Sequence, residues 1–310
     1  MSWNSRDISD CQAEQGGGRM QLVVKEVVAY RGEEQYKELT DQEYLVARAR
    51  AAATQQQDWA AKTWMLTAKS LFPDNFGIQF EAYTTEKESG NAKESAAFFQ
   101  DLFNKFPSEQ RIVSEIAAVM AVLKAMDEDG EEELEQEKKF YSSMFEHVGE
   151  ATRKKMILQA AENAKDPLEH CRLMLILLRR FPDRIPQHGQ RLVESLNTAE
   201  KHELGVNPSP LNMFRRMLVV EVLPTILKAD KAKLGAKLVL KNLLKTQEFV
   251  VAFVNKRTSV NFEFRGDPWQ LLYSVLLGAG RALGWPDSVA PSAPLPGVEE
   301  FLASMGALCR

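Results

Sequence analysis

The sequence predicts an all-α fold in which helical hairpins stack in a row. Apolar residues recur at three- and four-residue spacing along most of the 310-residue chain, which is typical of amphipathic helices. A Phe-Pro dipeptide closes three of these patterns, at Pro73, Pro107 and Pro182. Proline ends a rising helix because it supplies no backbone N–H and forces the preceding residue out of the α region. Pro73 and Pro107 lie 34 residues apart, which is the length of one tetratricopeptide-type helix pair. We therefore expect tetratricopeptide-like hairpin repeats that form an α-α superhelix, or solenoid.

Four regions are expected along the chain. Residues 1–40 are expected to form a polar, largely disordered leader. Residues 21–30 are rich in β-branched residues and resemble a strand, but the sequence offers no partner strand for it. Residues 41–205 carry the first set of helical repeats. Residues 206–284 carry a second set with a basic stripe. Residues 285–310 are rich in proline and are expected to be a poorly ordered tail.

The first set of repeats is predicted helix by helix from apolar spacing and stop signals. A first helix is expected within residues 33–53, followed by three helices between Trp59 and Pro107. An apolar stripe predicts the next helix across residues 108–126. Further helices are expected from about Phe140 and from Pro167, because Asp166-Pro167 places proline at a first helical position.

An acidic tract separates two of these helices. Residues 127–137 contain eight Asp and Glu residues. Blocks of like charge repel one another and stay hydrated, so the favoured interpretation is a solvated connection between helices. The alternative is an acidic docking tract for a partner.

The second set begins after a turn cluster at residues 205–210. Residues 211–227 are apolar on most sides, and Pro224 is expected to kink or end this helix. Residues 228–245 are predicted to form the next helix, and Asp267-Pro268 to open the last one, up to Gly284. The glycines within residues 278–284 resemble a dinucleotide-binding pattern, but no strand precedes them and no helix opens after them. We interpret them as small residues at the end of a helix.

One lysine stripe is the candidate site. Lys233, Lys237, Lys241 and Lys245 recur every four residues, so they fall along one side of a helix. The stripe lies within a basic segment, residues 171–265, which has 17 Lys and Arg against 8 Asp and Glu, or +9. It suits a nucleic-acid backbone or an acidic protein surface, but the favoured interpretation is a solvated helix face. No aromatic residues interleave for base stacking, so sequence-specific reading is not expected.

No catalytic, cofactor or metal motif stands out. The three cysteines are far apart in sequence, and the four histidines show neither metal-ligand spacing nor a neighbouring nucleophile motif. The longest apolar run is about eight residues, too short to span a bilayer, and residues 1–19 lack the apolar core of a secretory signal. We expect an intracellular, soluble, non-enzymatic protein without a cofactor and without a membrane partner.

Several long segments resemble a known family. These are WAAKTWMLTAKSLFPDNFGIQFEAYTTE from residue 59, FFQDLFNKFP from residue 98, LMLILLRRFP from residue 173 and NMFRRMLVVEVLP from residue 212. In this order and spacing they resemble the N-terminal part of the Integrator complex subunit 10 family. The resemblance covers roughly Tyr44 to Trp269, and we expect the C-terminal part of this chain to be truncated or divergent from the family.

The resemblance implies a nuclear, non-enzymatic scaffold subunit. Such a subunit supports small nuclear RNA 3′-end processing and RNA polymerase II transcription attenuation through protein–protein contacts. The implied partners are other Integrator subunits, especially subunits thirteen and fourteen, and indirectly the RNA polymerase II machinery. Contact with an RNA or DNA backbone is also implied. The alternative is a nucleic-acid-binding helical-repeat module that uses the basic second half, and a steep loss of binding with salt would distinguish it.

Overall fold

The computed structural model describes residues 39–129, 136–205, 209–229, 234–256 and 266–285. Within these ranges the regular structure is helical throughout, and the predicted all-α class is confirmed. The helices are α1 (Asp41–Thr54), α2 (Asp58–Leu71), α3 (Phe76–Glu88), α4 (Ala92–Lys105), α5 (Gln110–Asp129), α6 (Gln136–His147), α7 (Glu150–Asn163), α8 (Pro167–Arg180), α9 (Ile185–Leu204), α10 (Met213–Arg216), α11 (Leu223–Leu227), α12 (Ala236–Lys256) and α13 (Pro268–Leu283). A 3-10 turn, Pro182–Arg184, precedes α9, and a π-helical segment, Met217–Val222, joins α10 to α11.

Several predicted features lie outside the described residues. They are most of the leader with its strand-like stretch at residues 21–30, residues 130–135 of the acidic tract, part of the turn cluster at 205–210, and residues 286–310 of the tail.

The chain divides into two compact units between Leu71 and Phe72. In the first, α1 and α2 form a hairpin whose buried contacts come mostly from small side chains, including Ala49, Ala52 and Ala68. Thr40 starts α1 with a capping box, because its hydroxyl accepts from the Glu43 N–H while the Glu43 carboxylate accepts from the Thr40 N–H at 2.9 Å.

The second unit contains the other helices, packed largely as sequential pairs. α3 packs on α4, α5 on α6, α7 on α8 and α12 on α13. One apolar core runs through these pairs and includes the fully buried Tyr83, Phe99, Phe145 and Leu177. This core continues on both sides of residue 205, so the proposed division into two sets of repeats stays a prediction.

Local signals explain where most of these helices begin. Asn75, Asn91, Asp166 and Asp267 each precede a helix, and each side chain accepts a hydrogen bond from a backbone N–H of the first turn. Proline follows directly after Asp166 and Asp267, at a position where no backbone donor is needed. The predicted starts of α8 and α13 are thus confirmed.

The Phe-Pro stops act as predicted. α2, α4 and α8 end at Leu71, Lys105 and Arg180, directly before the three dipeptides. Phe106 and Phe181 cap α4 and α8 with backbone outside the α region, since the following proline disfavours that region there.

Pro224 neither ends the helix at its own position nor breaks its continuity. The chain remains helical to Leu227, and a π-helical segment precedes the proline. A π turn widens the backbone ladder, which relieves the clash that a proline ring makes with the preceding turn.

The predicted helix over residues 228–245 is wrong at its N-terminal end. Lys228 caps α11, and α12 begins only at Ala236 and continues to Lys256. The Gly235 carbonyl accepts from the Val239 N–H at 3.0 Å, which places glycine at the entry of α12.

The small residues near residue 280 have a packing role, as the sequence indicated. A Cβ at Gly278 would lie 2.6 Å from the Leu227 Cβ, so only glycine allows α13 to approach α11 this closely. Gly284 ends α13 with a φ of 71°, a left-handed conformation that glycine adopts without strain.

Candidate functional site

The structure separates the four lysines of the predicted stripe. Lys237 and Lys241 are exposed on α12, whereas the Lys245 side chain is only 12% exposed. Lys233 lies outside the described residues. Four-residue steps rotate by about 40° each around a helix, so the stripe turns from solvent towards the core along α12. The prediction of one continuous basic face is therefore wrong at Lys245.

The side chain of Lys245 points inward because its ammonium group pairs with a buried carboxylate. Its Nζ donates to one oxygen of Glu200 on α9, and the Arg215 Nε donates to the other oxygen. The Asn212 Nδ2 also reaches Glu200, at 3.3 Å. The Glu200 side chain is 1% exposed, so these donors replace its lost hydration.

Electrostatics keep this carboxylate charged. Burial opposes ionisation of Glu200, but the hydrogen bonds and charges of Lys245 and Arg215 outweigh it and lower the pKa of the carboxyl. The pKa of Lys245 is also lowered, chiefly by burial. The hydrogen bond and charge of Glu200 oppose this lowering, while the charges of Arg215 and Lys241 add to it.

A second polar contact joins α12 to α9, next to the Glu200–Lys245 pair. The Asn197 Nδ2 donates to the Asn242 Oδ1 at 2.9 Å, three residues before the Glu200–Lys245 pair on each helix. Both contacts lie on the buried side of α12, whereas Lys237 and Lys241 lie on its exposed side.

Sequence reasoning missed a second carboxylate cluster, between α3, α5 and α6. Glu115 accepts from the Tyr83 hydroxyl at 2.7 Å, from the Lys87 Nζ at 3.0 Å and from the Tyr141 hydroxyl at 3.1 Å. Burial, followed by the Glu115 charge, raises the pKa of the Tyr83 phenol. Lys87 and Tyr141, which are hydrogen-bonded to each other, are 54 positions apart in sequence, and no local pattern signals the cluster.

The cation–π contacts of Phe145 and Phe181 involve charges that are also paired. Arg153 and Arg180 lie over the Phe145 ring and share Glu146. Lys154 lies over the Phe181 ring and pairs with Asp183 at 2.8 Å. Glu150 also accepts from Lys154, at 2.5 Å. The arrangement ties α6, α7 and α8 together.

The acidic tract begins as part of a helix. Asp127 lies in the last turn of α5, and its carboxylate accepts from Arg179 of α8. Arg179 also donates to Glu221 at 3.1 Å. Asp127, the first residue of the tract, therefore contributes to the fold, while the proposed docking role of the tract stays a prediction.

Cys171 and three of the histidines are potentially reactive side chains, and the structure shows the surroundings of each. Cys171 is buried, and burial followed by the Asp166 charge raises the pKa of its thiol to about 12. His170 Nδ1 lies 2.8 Å from the Ala161 carbonyl, and His147 Nδ1 lies 2.8 Å from the Ser143 carbonyl. Burial, then Arg184 and Arg191, lowers the pKa of His188.

The described part of the chain contains neither a metal-binding cluster nor a membrane-spanning helix. None of its His, Cys, Asp and Glu side chains form a group of three or more that suits a metal ion. None of its helices is long and apolar enough to cross a membrane.

Comparisons with known proteins agree with one another. A family model described as Integrator subunit 10 matches residues 37–272. Proteins named Integrator complex subunit 10 from Gallus gallus and Homo sapiens are each 31% identical over 276 residues, which covers 79% of this chain and 38% of the relative. The protein of that name from Drosophila melanogaster is 27% identical over 227 residues, covering 73% of this chain and 33% of its own length. The chain thus spans well under half the length of the curated relatives it matches.

Proposed function

The chain belongs to the Integrator subunit 10 family, and on that basis we propose that it is a non-enzymatic scaffold subunit of the Integrator complex. In this role it supports small nuclear RNA 3′-end processing and RNA polymerase II transcription attenuation in the nucleus. It does so by holding other Integrator subunits, with subunits thirteen and fourteen as the first candidates and the polymerase machinery reached indirectly.

The observation that carries this proposal is the extent of the family match. Residues 37–272 include α1 to α12 and the first turn of α13, so the match covers the helical hairpins rather than one local motif. Stacked helical hairpins present extended surfaces that suit protein partners. The carboxylate clusters support a structural role, because the partly buried Glu115 and the buried Glu200 are each satisfied by neighbouring donors.

Affinity purification tests the scaffold role directly. The tagged chain is purified from nuclear extract and the co-purifying proteins are identified, with an unrelated helical protein carrying the same tag as control. Co-expression with subunits thirteen and fourteen then tests direct contact. We expect recovery of Integrator subunits with the chain alone. A folded, soluble chain that retains no Integrator subunit in either experiment would contradict the proposal.

A second function is supported by the exposed part of the lysine stripe. Lys237 and Lys241 are one helical turn apart on the solvent side of α12, within a basic segment of +9. Two ammonium groups at this spacing suit adjacent phosphates of a nucleic-acid backbone. We propose that this surface binds RNA or DNA backbone without sequence preference, as an activity beside the scaffold role.

Charge reversal at these two positions tests the second function. Lys237→Glu with Lys241→Glu is expected to weaken binding of single-stranded RNA and to reduce the salt slope of log K by about 1.4, the value for two lost phosphate contacts on a single strand. Lys93→Glu with Lys155→Glu is the matched control, because it makes the same charge change at exposed positions of α4 and α7. Equal RNA affinity for both double variants would contradict a site on α12.

A further inference from the structure

An exposed apolar stripe runs along α13. Trp269, Tyr273 and Leu277 are 56%, 61% and 45% exposed, although all three are large and apolar or aromatic. They lie at four-residue intervals and within about 80° of one another around the helix. The opposite side of α13 packs against α11 and α12 through residues such as Val275 and Gly278. A contiguous apolar surface of this kind marks a contact site.

The chain turns back over this same stripe where α13 ends. Gly280 lies at about 20° on the helix when Trp269 is taken as zero, so it belongs to the stripe. The Trp285 N–H donates to the Gly280 carbonyl at 2.8 Å, and a Cβ at Gly280 would lie 3.1 Å from the Trp285 ring. The Trp285 indole therefore covers the C-terminal end of the stripe.

The sequence after Trp285 contains a segment with matching character. Within residues 298–308, the apolar residues Val298, Phe301, Leu302, Met305 and Leu308 recur at the three- and four-residue spacing of one helix face. Residues 286–297 separate this segment from Trp285 and include four prolines. Twelve residues in an extended polyproline conformation span about 37 Å, more than the about 21 Å from Leu283 back to Trp269 along α13.

We propose that residues 298–308 of this chain dock on the stripe formed by Trp269, Tyr273 and Leu277, antiparallel to α13. Charge favours this direction, because it brings Glu299 and Glu300 next to Arg281, the one charged residue within α13. In this arrangement the segment buries the exposed side chains of Trp269, Tyr273 and Leu277.

Hydrogen exchange of the 310-residue chain tests this docking. Residues 298–308 are expected to exchange at least tenfold more slowly than the same sequence as a free peptide. Phe301→Asp is expected to remove this protection and to raise exchange in residues 269–277. Ala303→Asp is the matched control, because residue 303 lies about 140° from Val298, on the polar side of the segment.

A reciprocal pair of variants separates docking from independent helix formation. Tyr273→Asp is expected to accelerate exchange of residues 298–308 at least tenfold, while Ser274→Asp, on the neighbouring face of α13, leaves it unchanged. Exchange of residues 298–308 at the free-peptide rate in the unmodified chain would overturn the proposal. Protection that rises with protein concentration, with a dimer in sedimentation, would also overturn it and assign the stripe to a second copy of the chain.

Discussion

Glu115 and Glu200 are two carboxylates inside the second unit, and their surroundings differ. Glu115 joins α5 to α3 and α6 through two tyrosine hydroxyls and one lysine. Glu200 joins α9 to α10 and α12 through one arginine, one lysine and an asparagine amide. The first cluster uses one cation, and the second uses two.

The number of cations follows the burial of the carboxylate. The Glu115 side chain keeps 16% exposure, whereas Glu200 keeps 1%. Removing a carboxylate from water costs more the more completely it is buried, and nearby positive charge offsets that cost. A partly hydrated carboxylate is satisfied by phenols and one ammonium group, while the buried one is held between two cations. This difference predicts how each cluster responds to mutation and pH.

The largest expected effect is at Glu200. Glu200→Ala leaves Arg215 and Lys245 buried beside each other without their shared anion, and is expected to lower the free energy of unfolding by about 3–5 kcal/mol. Glu248→Ala is the matched control, because Glu248 also pairs with Arg215 but is 43% exposed, and it is expected to cost less than about 1 kcal/mol. Urea unfolding measures both values. Equal costs would show that burial does not separate the two carboxylates.

A smaller effect is expected within α12 itself. Lys245→Met removes one of the two cations from Glu200, and is expected to cost about 1–3 kcal/mol of unfolding free energy. Lys241→Met, one turn earlier on the same helix, is expected to stay within about 0.5 kcal/mol because its ammonium group is exposed. Thermal and urea unfolding of the two variants compare them directly. A cost at Lys241 that matches the cost at Lys245 would place both lysines in the interface.

The smallest effect at neutral pH is expected at Tyr83. What distinguishes the Glu115 cluster is its loss of stability at alkaline pH. The pKa of Tyr83 is raised in the folded protein, by burial and then by Glu115, above the value of about 10 in an unfolded chain. The folded state therefore holds the phenolic proton more tightly. The stability from this group is fully present below pH about 10 and is lost as the pH rises further, by up to about 1.4 kcal/mol per pH unit.

Tyr83→Phe isolates this contribution. At pH 7 the variant is expected to be about 1 kcal/mol less stable, because Glu115 loses one donor. Between pH 10 and 11 its unfolding free energy is expected to fall less steeply than that of the unmodified protein. Urea unfolding across this pH range gives the two slopes, and parallel slopes would mean that Tyr83 does not titrate with folding.

The sequence alone determined the helices and the family of this protein. Capping residues such as Asp166 and Asp267 and the Phe-Pro stops act on backbone groups within a few residues, so a local pattern suffices to place α8 and the start of α13. Apolar spacing also predicted the face of α5 that is buried, including Ile112 and Val119. The segments that resemble the Integrator family lie within the matched residues 37–272.

The tertiary structure decided which polar side chains face solvent. Lys237, Lys241 and Lys245 are equivalent in sequence, yet Lys245 pairs with Glu200, 45 positions away. The Glu115 cluster likewise joins residues from three helices, and the π-helical segment before Pro224 forms within a packed core. Such contacts depend on the rotation of each helix against its neighbours. That rotation is set by the packing of side chains distant in sequence, and spacing along a single helix does not contain it.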